Sequence, residues 1–214
     1  NSMLDKAIIA ELEALAGKTN VLTGTVDRLT YSYDATADVP RQMPDVVVLP
    51  TDTAMVQALV RFARERRIPI YPRGAGTNLS GGTVPLKQGI VLSFQKMNAI
   101  LDIDPANLTA VVQPGVVIGA LNAAVAPHGL IYPPDPGTVA TATMGGSAAE
   151  NSGGLRGLKY GVTKNYIMGM EVVLANGEKV RFGGKTVKNV TAYDFGTLFI
   201  GSEGTLGIIT ELTA

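Results

Sequence analysis

Apolar and polar positions predict several regular elements in the first half of the chain. Residues 4–15 carry leucine and isoleucine at helical spacing up to Gly17, which predicts an amphipathic helix. Three short runs predict strands: 46–49, 68–71 and 90–94. The first run is continuously apolar, as expected for a strand buried on both faces. Because a helical stripe capped by Thr51 or Asp52 connects the first two runs, we predict a small parallel βαβ unit.

The pattern in the second half of the chain favours antiparallel hairpins. Residues 100–113 surround a DPAN turn, and residues 170–182 surround Asn176-Gly177, a dipeptide typical of tight hairpin turns. A short helix is predicted over 116–126 and a last strand over 206–212. Two stretches show no regular period: a polar lead-in at 19–43 and a stretch of small residues at 133–161.

A glycine-rich loop, YPRGAGTNLSGG at 71–82, follows the second predicted strand. Glycines allow successive backbone N–H groups to turn toward one point, which creates a concavity for an anion. Arg73 adds positive charge, and Thr77, Asn78 and Ser80 add side-chain donors. The loop therefore predicts a phosphate or pyrophosphate site, although a glycine-rich turn without a ligand explains the loop equally well when it is taken alone.

The stretch at 133–161 is the second unusual segment. Its paired glycines lie at 145–146 and 153–154, among Asp135, Asn151 and Tyr160. A disordered linker has similar composition, but it would lack these specific polar residues and would seldom lie between well-patterned strands. We interpret the small residues as backbone that approaches an extended ligand closely.

Composition excludes several classes of protein. Basic and acidic residues number 18 each, so no overall positive field favours nucleic acid. The chain has no cysteine and one histidine, which argues against disulfides, thiolate catalysis and a protein-only metal site. The 46% hydrophobic content includes no run long enough to span a membrane. A cytoplasmic location is the default expectation, with a peripheral role in a membrane complex left open.

Known phosphate motifs fail on spacing. In the dinucleotide pattern GxGxxG, Gly74 and Gly76 are present but the third position is Leu79. The P-loop pattern would require a glycine where Lys179 precedes Gly184-Lys185-Thr186. No serine-hydrolase elbow or zinc-protease motif is present. The position of His128 after a predicted helix favours a capping role. Most of the aspartates at 34, 102, 104 and 135 are interpreted as turn residues.

Four segments carry a resemblance: PRGAGTN at 72–78, PPDPGTVATATMGGSAAENSGG at 133–154, VKNVTAYD at 187–194 and GSEGTLGIIT at 201–210. In this order and spacing they resemble the FAD-binding domain of the FAD-linked oxidase family, the vanillyl-alcohol oxidase or PCMH-type fold. Within that family the chain is most similar to the D-2-hydroxyacid dehydrogenases, such as glycolate oxidase flavin subunits, D-lactate dehydrogenases and D-2-hydroxyglutarate dehydrogenases. Ala192 departs from the glycine that relatives often carry.

The resemblance implies a set of FAD-binding residues in three groups. The pyrophosphate loop corresponds to Arg73, Gly74, Ala75, Gly76, Thr77 and Asn78. The pyrophosphate-to-flavin segment and the loop along the flavin correspond to Asp135, Pro136, Gly137, Thr138, Thr143, Gly145, Gly146, Ala149, Asn151, Gly153 and Gly154. Contacts on the adenosine side correspond to Glu203, Gly204 and Ile209. Because the first loop lacks the histidine that tethers FAD in some relatives, we expect non-covalent FAD.

The resemblance also implies an α+β fold, a PCMH-type domain of two α/β lobes. The expected organisation is an N-terminal helix and lead-in at 1–43, a small parallel βαβ lobe at about 44–100, and a larger, mainly antiparallel sheet flanked by helices at about 101–214. Relatives carry a substrate domain after the last strand. Its metal-binding and base residues are absent here, so we expect no activity from these residues alone, and the catalytic residues stay unassigned.

The implied activity is oxidation of a 2-hydroxy acid to a 2-oxo acid by hydride transfer to FAD. The implied partners are a small 2-hydroxy acid and an electron-accepting subunit, such as an iron–sulfur protein, with location at the inner membrane only through such subunits. Two alternatives stay open. One is another enzyme on the same domain, like alkyl-dihydroxyacetone-phosphate synthase or UDP-N-acetylenolpyruvoylglucosamine reductase. The other is a non-catalytic nucleotide-binding module.

Overall fold

The structure is a computed structural model that describes residues 4–185 and 194–214. The chain divides into two units. The first comprises Asn1–Lys96 and Ala175–Glu178, and the second comprises Met97–Leu174 and Lys179–Ala214. Among the described residues, no helix has the length and apolar character needed to cross a membrane.

The first unit is built on a four-stranded sheet. Its strands are β1 (Val21–Leu22), β2 (Val46–Val48), β3 (Ile70–Arg73) and β4 (Ile90–Ser93), and its helices are α1 (Lys6–Ala16), α2 (Thr25–Thr30) and α3 (Thr53–Arg66). The strand order is β1-β2-β4-β3, with β2 and β3 each parallel to β4 and β1 antiparallel to β2. The predicted parallel βαβ unit is confirmed, but β4 lies between its two strands.

Local sequence explains the helices of this unit. The Asp52 side chain accepts a hydrogen bond from the Met55 backbone N–H at 2.8 Å, which caps α3 as predicted. Helix α3 ends where Arg67 adopts a left-handed conformation, with φ of 55°. One face of α3 is buried, through Val56, Leu59, Val60, Phe62 and Ala63. The residues of β2 are fully buried, as expected for a strand covered on both faces.

The turn at Ala175–Glu178 is assigned to the first unit although its flanking strands are not. The Gly177 carbonyl accepts hydrogen bonds from Gln57 Nε2 at 2.8 Å and Arg61 Nη2 at 3.0 Å, both on α3. These bonds join the turn to the helix.

The second unit contains a five-stranded antiparallel sheet. Its strands are β5 (Ile100–Asp104), β6 (Thr109–Val112), β7 (Gly169–Val173), β8 (Lys179–Gly183) and β9 (Ile208–Thr213), in the order β5-β6-β9-β7-β8. The helices of this unit are α4 (Ile118–Val125), α5 (Met144–Glu150) and α6 (Gly157–Tyr160). Strands β5 and β6 and strands β7 and β8 form the two predicted hairpins.

One hydrophobic core holds the second unit together. Sheet residues such as Val172 and Leu212 pack in the same cluster as Leu121 of α4 and Met144 of α5, and all four are almost completely buried. Burial of this apolar surface is the main stabilising contribution to the unit. The fold is therefore α+β, with a sheet and helices in each unit.

The two stretches without a regular period contain helices that the sequence analysis missed. In α2, Val26 and Leu29 are exposed, so no buried stripe marks the helix. In α5, the sequence MGGSAAE offers few large side chains, although Thr143 caps it by accepting from the Gly146 backbone N–H. Period-based prediction fails at both because it depends on large apolar residues facing a core.

Candidate functional site

The glycine-rich loop leaves the end of β3 and exposes a run of backbone donors. Within the described residues, the backbone N–H groups at 75–78 donate no hydrogen bond, and these residues are exposed or half-buried. Gly76 has φ of 70°, which an L side chain rarely adopts. Adjacent free N–H groups beside a left-handed glycine make a concavity suited to phosphate oxygens.

Arg73 lies beneath this loop and is only 7% exposed. Its Nη1 donates to the Tyr33 carbonyl at 2.7 Å and to Thr83 Oγ1 at 3.3 Å. Burial lowers the pKa of the Arg73 guanidinium, and the neighbouring Asp34 carboxylate partly offsets that shift. Arginine nevertheless stays protonated in proteins, so the loop rests on a buried positive charge.

Asn78 is held by other residues of the first unit. Its Nδ2 donates to Asp34 Oδ2 at 2.7 Å and to Ser80 Oγ at 3.2 Å, and its Oδ1 accepts from Thr83 Oγ1 at 3.1 Å. The polar atoms of the Asn78 side chain are therefore used within the protein. At this position it is the backbone N–H that is free for a ligand.

The residues around the loop include several that the sequence analysis did not select. Sequence alone favours a turn role for aspartates such as Asp34 and gives no signal for Thr36 or Thr83. The Thr36 hydroxyl accepts from the Gly81 backbone N–H at 2.8 Å, so the lead-in contacts the glycine loop. No spacing rule links residues about 45 positions apart in a single sequence, so only the fold brings them together.

In the second unit, the segment that begins at Asp135 lies against Gly154. The Asp135 carboxylate forms an ion pair with Arg156 Nε at 3.3 Å. A Cβ atom on Gly154 would lie 1.9 Å from the Asp135 carbonyl oxygen, so the two backbones touch. Pro136 is buried, whereas Gly137 and Thr138 are exposed.

Helix α5 carries the next group of predicted residues. Thr143 caps the helix, and a Cβ atom on Gly145 would lie 2.5 Å from Cβ of Pro114. The backbone N–H groups of Gly145 and Gly146 donate to the Pro114 carbonyl and to Thr143 Oγ1. Close packing inside the protein therefore requires glycine at positions 145 and 154. This requirement is separate from the close approach to a ligand that the sequence predicts.

The GSEG turn lies at the end of α5. The Gly201 and Glu203 backbone N–H groups donate to the Ala148 and Ala149 carbonyls at 3.0 and 2.9 Å. Glu203 has φ of 53°, in the left-handed region, as do Gly204 and Asn151. The structure therefore brings together Ala149, Asn151, Glu203 and Gly204 in the second unit.

Three other predicted features lie elsewhere. Ile209 is buried in the hydrophobic core of the second unit. Of the segment at 187–194, residues 187–193, including Ala192, lie outside the described residues. His128 is exposed in a 3₁₀ turn that Gly129 ends. Across residues 4–185 and 194–214, no cluster of three or more histidine or acidic side chains could hold a metal.

Residues 44–183 match the FAD binding domain family. The chain belongs to this family. Its cofactor is therefore FAD, and free N–H groups such as those at 75–78, close to Arg73, suit the phosphates of that cofactor.

Two relatives place the chain within the family. It is 52% identical over 209 residues to "Glycolate oxidase subunit GlcD" of Bacillus subtilis, covering 98% of this chain and 44% of the relative. It is 46% identical over 186 residues to "D-lactate dehydrogenase" of Archaeoglobus fulgidus, covering 86% of this chain and 42% of the relative. The chain thus spans less than half the length of these relatives.

Solved structures share the fold. An alkyldihydroxyacetonephosphate synthase superposes with a TM-score of 0.85 at 25% identity, over 98% of this chain and 43% of that one. Substrate-bound p-cresol methylhydroxylase superposes with a TM-score of 0.81 at 27% identity, over 97% of this chain and 42% of that one. These similarities confirm the PCMH-type fold.

Proposed function

We propose that the chain is the FAD-binding part of a D-2-hydroxyacid dehydrogenase of the glycolate oxidase or D-lactate dehydrogenase type. The observation that carries this proposal is the run of free backbone N–H groups at 75–78 above the buried Arg73. Membership of the FAD binding domain family and 52% identity to a protein named for glycolate oxidation support the choice of enzyme.

The glycine loop binds the pyrophosphate of FAD in this proposal. Gly74, Ala75, Gly76, Thr77 and Asn78 act mainly through their backbones, and Arg73 supplies positive charge from beneath. Buried Arg73 makes this charge part of the protein's fixed electrostatic field, so anion binding needs no side-chain rearrangement.

The second unit supplies the remaining predicted contacts in this proposal. Exposed Gly137 and Thr138 offer a backbone face to the cofactor, and the turn with Glu203 and Gly204 offers another. The predicted contacts at Asp135, Pro136, Thr143, Gly145, Gly146, Ala149, Asn151, Gly153, Gly154 and Ile209 remain proposals of the same kind. For Ile209, which is buried in the core, the role is to shape the neighbouring backbone.

Bound flavin supplies a hydride acceptor for oxidation of the 2-hydroxy acid to a 2-oxo acid. This chain's own residues bind and orient the cofactor. Within the described residues, no cluster of histidine and acidic side chains could hold a metal, and the base toward substrate is not assigned to this chain. In this proposal, the metal ligands and the base lie in additional polypeptide, like that which makes up the rest of the longer relatives. The same polypeptide would carry the docking site for an electron-accepting subunit such as an iron–sulfur protein.

FAD is held without a covalent bond in this proposal, because the glycine loop at 71–82 contains no histidine. Acid precipitation of the loaded protein measures this directly. We expect the yellow flavin to stay in the supernatant, and flavin retained in the washed pellet would contradict non-covalent binding.

Titration with FAD tests the proposed function. Purified chain, stripped of any bound nucleotide, should quench FAD fluorescence and shift the visible flavin spectrum in a saturable way. ADP should compete, because it carries the pyrophosphate without the flavin, whereas riboflavin should compete poorly. An absence of saturable binding would defeat the proposal.

The structural similarity to the alkyldihydroxyacetonephosphate synthase supports a second candidate function, that of a synthase with the same fold. Its TM-score of 0.85 is high, but its 25% identity is about half the identity to the glycolate oxidase relative. Assays of the longer protein with a D-2-hydroxy acid and an artificial electron acceptor distinguish the two, since only the dehydrogenase would reduce the acceptor.

A further inference from the structure

We propose that Asp34 is a positioning residue of the pyrophosphate loop, which it holds in its binding conformation through Asn78 and Thr83. The inference rests on the proposed function of that loop. It adds to the cofactor site a residue from the polar lead-in, about 40 positions before the glycine motif.

The two carboxylate oxygens of Asp34 bind different parts of the chain. Oδ1 accepts from the Thr36 backbone N–H at 2.9 Å, which makes a local turn. Oδ2 accepts from Asn78 Nδ2 at 2.7 Å and from Thr83 Oγ1 at 3.2 Å. Asp34 is only 8% exposed, so these bonds are largely shielded from water. One aspartate therefore joins the lead-in turn to Asn78 within the loop and to Thr83 directly after it.

This carboxylate fixes the orientation of the Asn78 amide. Because a carboxylate only accepts hydrogen bonds, Nδ2 must face Asp34 and Oδ1 must face Thr83. Asn78 belongs to the stretch at 75–78 whose backbone N–H groups donate no hydrogen bond among the described residues. With its side chain held by these internal partners, the Asn78 backbone N–H donates no hydrogen bond among the described residues and is available to an anion.

Thr83 connects the carboxylate to the buried cation. Its Oγ1 accepts from Arg73 Nη1 at 3.3 Å, and its single proton goes either to Asp34 at 3.2 Å or to Asn78 at 3.1 Å. Arg73 in turn lies against Gly76 in the middle of the loop. The chain of contacts from Asp34 thus reaches both Gly76 and Asn78 within the stretch of free backbone donors.

A purely electrostatic role and a positioning role of Asp34 predict opposite effects of Asp34→Asn on the affinity for FAD and ADP. If Asp34 acted only through its charge, removing a negative group near an anion site would strengthen binding of FAD and ADP. If Asp34 positions the loop, loss of two charge-assisted acceptor bonds releases Asn78 and weakens binding. We expect Asp34→Asn to weaken FAD and ADP binding about 10-fold or more, in line with such bonds.

The experiment measures FAD and ADP dissociation constants by fluorescence titration and competition, with folding followed by circular dichroism. Asp104→Asn is the control, since Asp104 also accepts from a nearby asparagine, Asn107, and from Lys185, but lies at the end of β5 in the second unit. The control should bind FAD like the wild type. A second pair keeps the test valid if Asp34→Asn does not fold: Thr83→Val should weaken binding, and Thr83→Ser should restore it.

The outcomes separate this inference from the proposed function. Wild-type chain that does not bind FAD would defeat the proposed function itself. Wild-type binding together with unchanged or tighter binding by folded Asp34→Asn would overturn the positioning role alone. If only the threonine pair folds, equal affinity of Thr83→Val and Thr83→Ser would overturn it instead. A double variant Asp34→Asn/Thr83→Val should bind scarcely more weakly than Asp34→Asn, because both act through one network.

Discussion

The Arg73 guanidinium lies so close beneath Gly76 that a Cβ atom at position 76 would be 2.2 Å from Nη2. Gly76 also has φ of 70°. The glycine is thus required twice, by its backbone conformation and by the side chain under it. A side chain at position 76 would strain the left-handed backbone of the loop and would also collide with the Arg73 guanidinium.

Gly76→Ala should therefore weaken both the loop and cofactor binding. The left-handed backbone costs about 1 kcal/mol with alanine, and displacement of Arg73 adds to that cost. We expect a lower melting temperature and at least about a 10-fold loss of FAD affinity, measured by thermal denaturation and fluorescence titration.

Gly129→Ala is a matched control for this variant. Gly129 also has φ of 70°, but no neighbouring atom lies within 4 Å of the Cβ position. This control should lose about 1 kcal/mol of stability and bind FAD normally. Equal FAD affinity in the two variants would show that contact with Arg73 does not matter.

Gly154→Ala tests the backbone contact in the second unit. The new Cβ would lie 1.9 Å from the Asp135 carbonyl oxygen, so the segment at 135–138 must shift. We expect a loss of about 1–3 kcal/mol in the free energy of unfolding, measured in urea. Gly157→Ala, three residues later with nothing within 4 Å of its Cβ, should keep or slightly raise stability.

Glu171 should be a major polar contributor to the stability of the second unit. This buried carboxylate lies 2.9 Å from Arg181 Nη2 and 3.2 Å from Lys179 Nζ, and it accepts from Thr210 Oγ1 at 3.0 Å. Because both cations are at least half exposed, Glu171→Ala should cost about 2–3 kcal/mol, less than breaking a fully buried pair. Urea denaturation measures the loss.

Glu211→Ala provides the comparison for that variant. Glu211 binds the other nitrogen of Arg181, Nη1, at 2.7 Å, but it is more exposed than Glu171. Its loss should cost less than about 1 kcal/mol. A similar cost for both variants would mean that burial of Glu171 contributes nothing.

The acid stability of the chain should depend on Asp34. Burial tends to raise the pKa of this carboxyl, but hydrogen bonds from Thr36, Asn78 and Thr83 outweigh burial and hold the pKa below its ordinary value. The stability that Asp34 contributes is therefore present above the unfolded-state pKa of about 3.9 and is lost as pH falls through the lower folded-state pKa. We expect the melting temperature of Asp34→Asn to fall less steeply than that of wild type below about pH 4. Parallel curves would contradict this assignment.

Much of the fold could be predicted from the sequence because its main elements carry local patterns. The capping aspartate at 52, the buried runs of β2 and β4 and the turn at Asn176-Gly177 each express a rule that acts over a few residues. Strand order follows no such local rule. The sequence of a strand buried on both faces does not indicate which strands pair with it, so the position of β4 between β2 and β3 could not be inferred.

The candidate site was predictable where backbone geometry dictates glycine, and unpredictable where a side chain acts at a distance. Gly76 could be selected from the loop composition. Asp34 looked like an ordinary turn aspartate because one of its oxygens does form a turn, with Thr36. Its other oxygen binds Asn78, and nothing in the lead-in sequence indicates that second contact.

The turn at Ala175–Glu178 has a consequence for synthesis on the ribosome. Helix α3 of the first unit donates two side-chain hydrogen bonds to Gly177, roughly 80 residues beyond Lys96, so at 5–20 residues per second this acceptor emerges about 4–16 s later. During that interval the Gln57 and Arg61 side chains lack this carbonyl acceptor. The nascent first unit therefore completes its final contacts only once the β7–β8 hairpin has been translated.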